Sequence, residues 1–194
     1  MQDTSKIIIF NLILIFCLTA FLKVDAADTG NTALSLEISQ GALSLTAPTN
    51  ATFASKSFSF DGQDSNGNAI GTIQTSDERG SRAGWSMNVT ATDWKDSADA
   101  SKVMKYNGNG TTEGKLSIDV PTLAEISSVA GDDTTNLSVG SDADFSADSI
   151  IGVVSAPSGS GSGQYNVSGL KAGQFIPGNQ PTGDYVTNLT VTIS

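Results

Sequence analysis

Histidine is absent from this 194-residue chain, and cysteine occurs once, at Cys17. Without histidine there is no Ser-His-Asp triad, no Cys-His pair and no histidine-bound zinc or iron. Cys17 lies inside an N-terminal apolar run. Once that run is removed, no thiol remains for a disulfide, a metal thiolate or a nucleophile. Cations are also few: ten Lys and Arg stand against twenty Asp and Glu, a formal net charge of −10. They are scattered along the chain, which excludes a nucleic-acid binder, because phosphate recognition needs clustered positive charge. Anionic wall polymers are repelled for the same reason unless divalent cations bridge the charges. No Gly-Lys-Ser/Thr phosphate loop occurs. No segment carries the period of a long amphipathic helix.

The N-terminus does carry a pattern. Lys6 precedes an apolar run, Ile7 to Phe21, broken only by Asn11 and Thr19, and Lys23-Val24-Asp25-Ala26-Ala27 follows. A short apolar core with a small-residue exit predicts a secretory signal peptide over residues 1–26, cleaved after Ala26. The run is shorter than the roughly 20 apolar residues that span a bilayer; a retained anchor is the alternative. Phe16 before Cys17 is too large for a lipoprotein signal. Removing residues 1–26 takes Asp3, Asp25, Lys6 and Lys23 with it, so the charge stays at −10. Residues 27–194 form one domain of ordinary length. A secreted domain without disulfides fits bacterial export.

What fills that domain is Gly, Ser, Thr, Asn and Asp around short alternating runs, the composition of an all-β protein. Leu34, Leu36 and Ile38 share one face of a predicted strand. Leu43 and Leu45 continue after a turn, and Phe58 and Phe60 share a face near the end of a third run. Asp61 to Asn68 reads as a loop, with Asn66-Gly67 a tight-turn signal. Asp77 to Arg82 reads as a charged turn. Trp85, Met87, Val89 and Ala91 then alternate with Ser86, Asn88 and Thr90. Shorter runs lie at 116–120, 150–154, 164–170 and 173–176. The Gly/Ser stretch 159–163 predicts an exposed tip, and the polar stretch 132–148 a long mobile loop. At the C-terminal end, Tyr185, Thr187, Leu189, Val191 and Ile193 alternate with Val186, Asn188, Thr190 and Thr192, a half-buried strand rich in β-branched residues. Short strands with turns every ten residues or so predict an immunoglobulin-like β-sandwich of antiparallel strands.

Candidate sites follow from the remaining chemistry. Most carboxylates sit in predicted turns (Asp61, Asp64, Asp132, Asp133, Asp142, Asp144), so no glycosidase pair is expected and no catalytic residue is assigned. Asp61, Asp64, Asn66 and Asn68 offer hard oxygen donors at close spacing, the expected place for calcium if the chain takes a cofactor. The EF-hand pattern fails, because Ala69 stands where the turn glycine belongs and no acid closes the loop. Aromatic faces stack on sugar rings. Trp85 lies on the apolar face of its strand and is expected in the core. Trp94 takes the opposite parity if that strand runs on, between Asp93 and Lys95, and is expected to be exposed. It is the first choice for a ligand-contacting aromatic, with Trp85 and Tyr185 beside it.

Two segments together resemble the WxL domain of Gram-positive surface proteins. Trp85-Ser86-Met87 stands in place of the family's Trp-x-Leu motif, after Asp77-Glu78-Arg79-Gly80 and Gly84 and before Val89-Thr90-Ala91-Thr92-Asp93. Tyr185, Leu189, Thr190, Val191, Thr192 and Ile193 match its C-terminal motif, a Tyr, three residues, then Leu-Thr-Trp-Thr-Leu. Phe175-Ile176-Pro177 and Gly183 lie upstream. Met87 replaces the motif leucine, and Val191 replaces the second tryptophan. The resemblance covers most of residues 33–194. It implies a secreted, non-catalytic β-sandwich at the cell surface, attached non-covalently to peptidoglycan or to neighbouring surface proteins. The alternative is a pilin-like or filament subunit that self-assembles by strand exchange, with Leu34, Leu36 and Ile38 as donor.

Overall fold

Alternating β-branched runs need partners for their main-chain groups, and the chain supplies them by folding into antiparallel sheets. A computed structural model describes residues 33–147 and 149–194. The apolar N-terminal run, its cleavage point and Cys17 fall outside the described residues, as does Asp148. The chain divides into two units, Met1–Ile38 and Ser39–Ser194. Of the first, residues 33–38 are described. They form no strand, contrary to the alternation there, and Leu34, Leu36 and Ile38 are 93%, 88% and 88% exposed. Alternation defines a face, but it does not provide a partner.

In the second unit the strands are β1 (Leu43–Thr46), β2 (Gln63–Ala69), β3 (Ile73–Asp77), β4 (Trp85–Ala91), β5 (Trp94–Asp96), β6 (Val103–Met104), β7 (Lys115–Asp119), β8 (Ile126–Gly131), β9 (Ser138–Val139), β10 (Ala143–Asp144), β11 (Ile151–Ala156), β12 (Gly163–Val167), β13 (Lys171–Ile176), β14 (Tyr185–Val186) and β15 (Leu189–Ile193). A short 3-10 turn, Leu123–Glu125, leads into β8. The strands pair into four antiparallel sheets, ordered β1-β3-β12-β8, β10-β7-β13-β2, β15-β4-β11-β9 and β14-β5-β6.

The inward faces follow the alternation. Trp85, Met87 and Val89 of β4 are buried, as are Leu116 and Ile118 of β7 and Tyr165 and Val167 of β12. On β11 the inward set is Ile151, Val153, Val154 and Ala156. That parity change falls at a bulge between Gly152 and Val154, where the register against β4 shifts by one. β15 pairs with β4 from Leu189↔Ala91 to Ile193↔Met87 and forms one edge of its sheet.

Several expectations are corrected. The stretch 61–68 is not a loop: Gln63–Ala69 is strand β2 against β13. Asn66-Gly67 makes a bulge there instead of a hairpin turn, because a Gly at φ +72 serves either feature. The run 53–60 forms no strand; it lies in an irregular segment with Phe60 exposed. Asp77 ends β3 and is buried, not part of a solvated turn. The described part of the polar stretch, 132–147, is pinned by the buried side chains of Leu137 and Phe145, and Phe145 N–H bonds to the Leu116 carbonyl at 2.9 Å. Of the Gly/Ser stretch 159–163, Ser160 and Gly161 are buried.

Candidate functional site

Trp85 is sealed, with 4% of its surface accessible. Its ring lies 5.9 Å from that of Tyr165 on the neighbouring sheet, and its indole N–H donates to the Gly161 carbonyl at 2.9 Å. Gly161 sits at φ +78, and a methyl there would collide with Ala156 and come within 2.8 Å of Trp85 Nε1. The glycine lets its own backbone reach the indole. Just before Trp85, the buried Asp77 carboxylate holds Arg79 at 2.9 and 3.0 Å, and Arg79 Nη2 donates to the Gly84 carbonyl at 2.7 Å. The Arg79 guanidinium beside it holds the Asp77 carboxyl below the usual range, against the opposing effect of burial.

Trp94 is also buried, with 8% accessible, which corrects the expectation that it is exposed. The reason is that β4 ends at Ala91. Thr92-Asp93 breaks the strand, and β5 restarts in another sheet, so parity does not carry over. Its indole N–H donates to Gln174 Oε1 at 2.8 Å, and Phe53 meets its ring edge-on with centroids 5.1 Å apart. Gln174 is itself buried and donates its amide to the carbonyls of Phe175 at 2.7 Å and Lys105 at 3.3 Å.

Trp94 and Tyr185 line one groove of about 870 Å³; Trp85 does not. The groove runs between the irregular segment 47–59 and the end of the chain from Ile176 to Val191. Trp94, Gln174, Ile70 and Leu116 contribute to its floor, and Leu189 and Val191 present their half-buried faces to it. Among the residues lining it, Lys56 and Asp184 alone are charged. A chain of net charge −10 thus keeps one extended surface neutral.

The groove wall is braced by a residue whose role the strand pattern did not reveal. Asp96, buried at the end of β5, accepts from Ala98 N–H at 3.0 Å and from Lys102 Nζ at 3.1 Å. Lys102 Nζ also donates to the Thr182 carbonyl at 3.2 Å, and Ser97 N–H bonds to the Asp184 carbonyl at 2.9 Å. A methyl on Gly183 would come within 2.7 Å of Asp96 Cγ. The Ala98 N–H, then Lys102, lowers the Asp96 pKa, so the carboxylate stays charged. This clamp delivers Tyr185, whose hydroxyl donates to the Pro181 carbonyl at 2.9 Å and accepts from Gln180 at 2.8 Å.

Of the proposed calcium donors, Asp64, Asn66 and Asn68 are spread along β2 and Asp61 precedes it. Asp64 and Asn66 are exposed. Asn68 is tied down: its amide donates to the carbonyls of Ser65 at 2.8 Å and Ala172 at 3.2 Å, and its oxygen accepts from Ala54 N–H at 3.3 Å. Among the described residues no three of His, Cys, Asp and Glu group as a metal cluster would require, and no helix there is long and apolar enough to cross a membrane. Gln174 carried one signal that could have been read: a polar residue sharing parity with Ala172 in an apolar run. Asp96, flanked by Lys95 and Ser97, carried none. No family model, curated protein or solved structure matches the chain.

Proposed function

We propose that this chain is a non-catalytic module, exported and folded as an immunoglobulin-like sandwich, that attaches non-covalently at the cell surface to peptidoglycan or to a neighbouring surface protein. Its attachment surface is the groove along Tyr185–Val191. The observation that carries this reading is the neutrality of that groove in a strongly acidic protein. Charge elsewhere repels anionic polymers, while a neutral, aromatic-lined surface suits an uncharged glycan face or an apolar protein segment. Of the two WxL-like motifs, the C-terminal one falls on β14 and β15, which line the groove, and the first on β4, which pairs with β15.

The test is co-sedimentation of the purified chain with whole cell walls and with protein-stripped sacculi, beside a Val186→Asp variant. Val186 lines the groove and is 58% exposed, so this change leaves the core intact. Saturable pelleting with stripped sacculi, weakened at least tenfold in the variant, is the result expected of a glycan ligand. Pelleting with whole walls alone identifies a protein ligand. Pelleting with neither, or a variant that binds as the parent does, overturns the proposal.

A further inference from the structure

We infer that the outer edge of β15 accepts residues 33–38 of a second copy of this chain as an added strand. Ser86 and Ser194 exchange both main-chain bonds, at 2.8 and 3.0 Å, which fixes the phase of the β4–β15 ladder. Thr190 and Thr192 therefore direct their N–H and C=O toward β4, and Leu189, Val191 and Ile193 direct theirs away. Among the described residues no strand is hydrogen-bonded along that outer row, and β1 of another sheet is the strand that comes near it. The facing segment is equally unpaired: among the described residues, 47–58 make no backbone–backbone hydrogen bond. Open main-chain groups thus flank an apolar groove, the arrangement that captures an extended peptide.

The chain carries a segment with the matching chemistry. Leu34, Leu36 and Ile38 alternate at the same two-residue spacing as Leu189, Val191 and Ile193, and they are almost fully exposed. Three exposed aliphatic side chains in a row are a standing drive to association. The donor's one charge, Glu37, lies on the opposite parity, and Lys56 beside the groove has no carboxylate within 4.0 Å among the described residues. The added strand would lie along the groove assigned to attachment, so the two uses compete for one surface.

The test is sedimentation velocity of the full purified chain over a concentration series. Two variants are run with it: the donor-less Leu34→Ser/Leu36→Ser/Ile38→Ser, and Val191→Lys, which places a charge on the accepting face. The parent is expected to associate with rising concentration, and the donor-less variant at least tenfold more weakly with an unchanged melting temperature. Alone, each variant associates at least tenfold more weakly than the parent, but mixed together they pair, because one retains the acceptor and the other the donor. A parent that stays monomeric, a donor-less variant that associates as the parent does, or a mixture that fails to pair while both variants are folded overturns the inference. Pelleting of the donor-less variant with walls reads the attachment function separately.

Discussion

The two tryptophans of this chain are both buried, both donate their indole N–H, and both have a braced aspartate nearby, yet they serve different ends. Trp85 is enclosed between sheets, bonded to the backbone of Gly161 and backed by Asp77–Arg79–Gly84. Trp94 is bonded to a side chain, Gln174, and lies in a groove under Phe53, where residues 47–58 form no sheet. Asp96 and Lys102 brace the opposite wall. Burial therefore does not by itself separate a structural aromatic from one at a binding surface. The cover does: around Trp85 it is paired strand, and over Trp94 it is a segment without backbone pairing.

Removing each partner should sharpen that contrast. The largest effect is expected for Trp85→Ala, which empties the centre of the core and should cost about 3–5 kcal/mol, read by chemical denaturation. Gln174→Leu should cost about 1–3 kcal/mol, because it strands the buried Trp94 N–H. Next comes Phe53→Ala, at about 1 kcal/mol for the lost edge-on pair; amide exchange should quicken across 47–58 while β4 is unchanged. Acid separates the two braces. Asp77 and Asp96 both have folded-state pKa values below the ordinary one. Their contribution is therefore complete above about pH 4 and lost as pH falls through the folded values. Asp77→Asn should flatten the acid limb of unfolding. Asp96→Asn should do the same and also release Tyr185, visible as a change in its ring resonances. Chelation by EDTA, the smallest effect, should leave the melting temperature unchanged, since the oxygen of Asn68 is already bonded to Ala54 N–H.

What could be read from the chain beforehand was local. The alternation from Trp85 to Ala91 and from Leu189 to Ile193 gave the strands and their inward faces, because side-chain parity is a property of the strand itself. Parity failed where strands stop. Trp94 belongs to a new sheet after Thr92-Asp93, and no alternation rule crosses a break. Asn66-Gly67 announced a positive φ but not whether a turn or a bulge would use it. Gly161 read as part of an exposed tip because its partner, the Trp85 indole, lies 76 residues away. The groove itself was invisible for the same reason: its walls, residues 47–59 and 176–191, meet through tertiary structure alone.

The most direct test of the account is the ¹⁹F spectrum of the chain labelled with 5-fluorotryptophan, the two resonances assigned with Trp85→Phe and Trp94→Phe variants, titrated with soluble peptidoglycan fragments and with detergent-solubilised surface proteins. The account predicts that one of these ligands shifts the Trp94 resonance saturably and leaves that of Trp85 in place. A Trp85 shift with Trp94 unmoved, or no shift of either with any ligand that pelleting shows to bind, would contradict it.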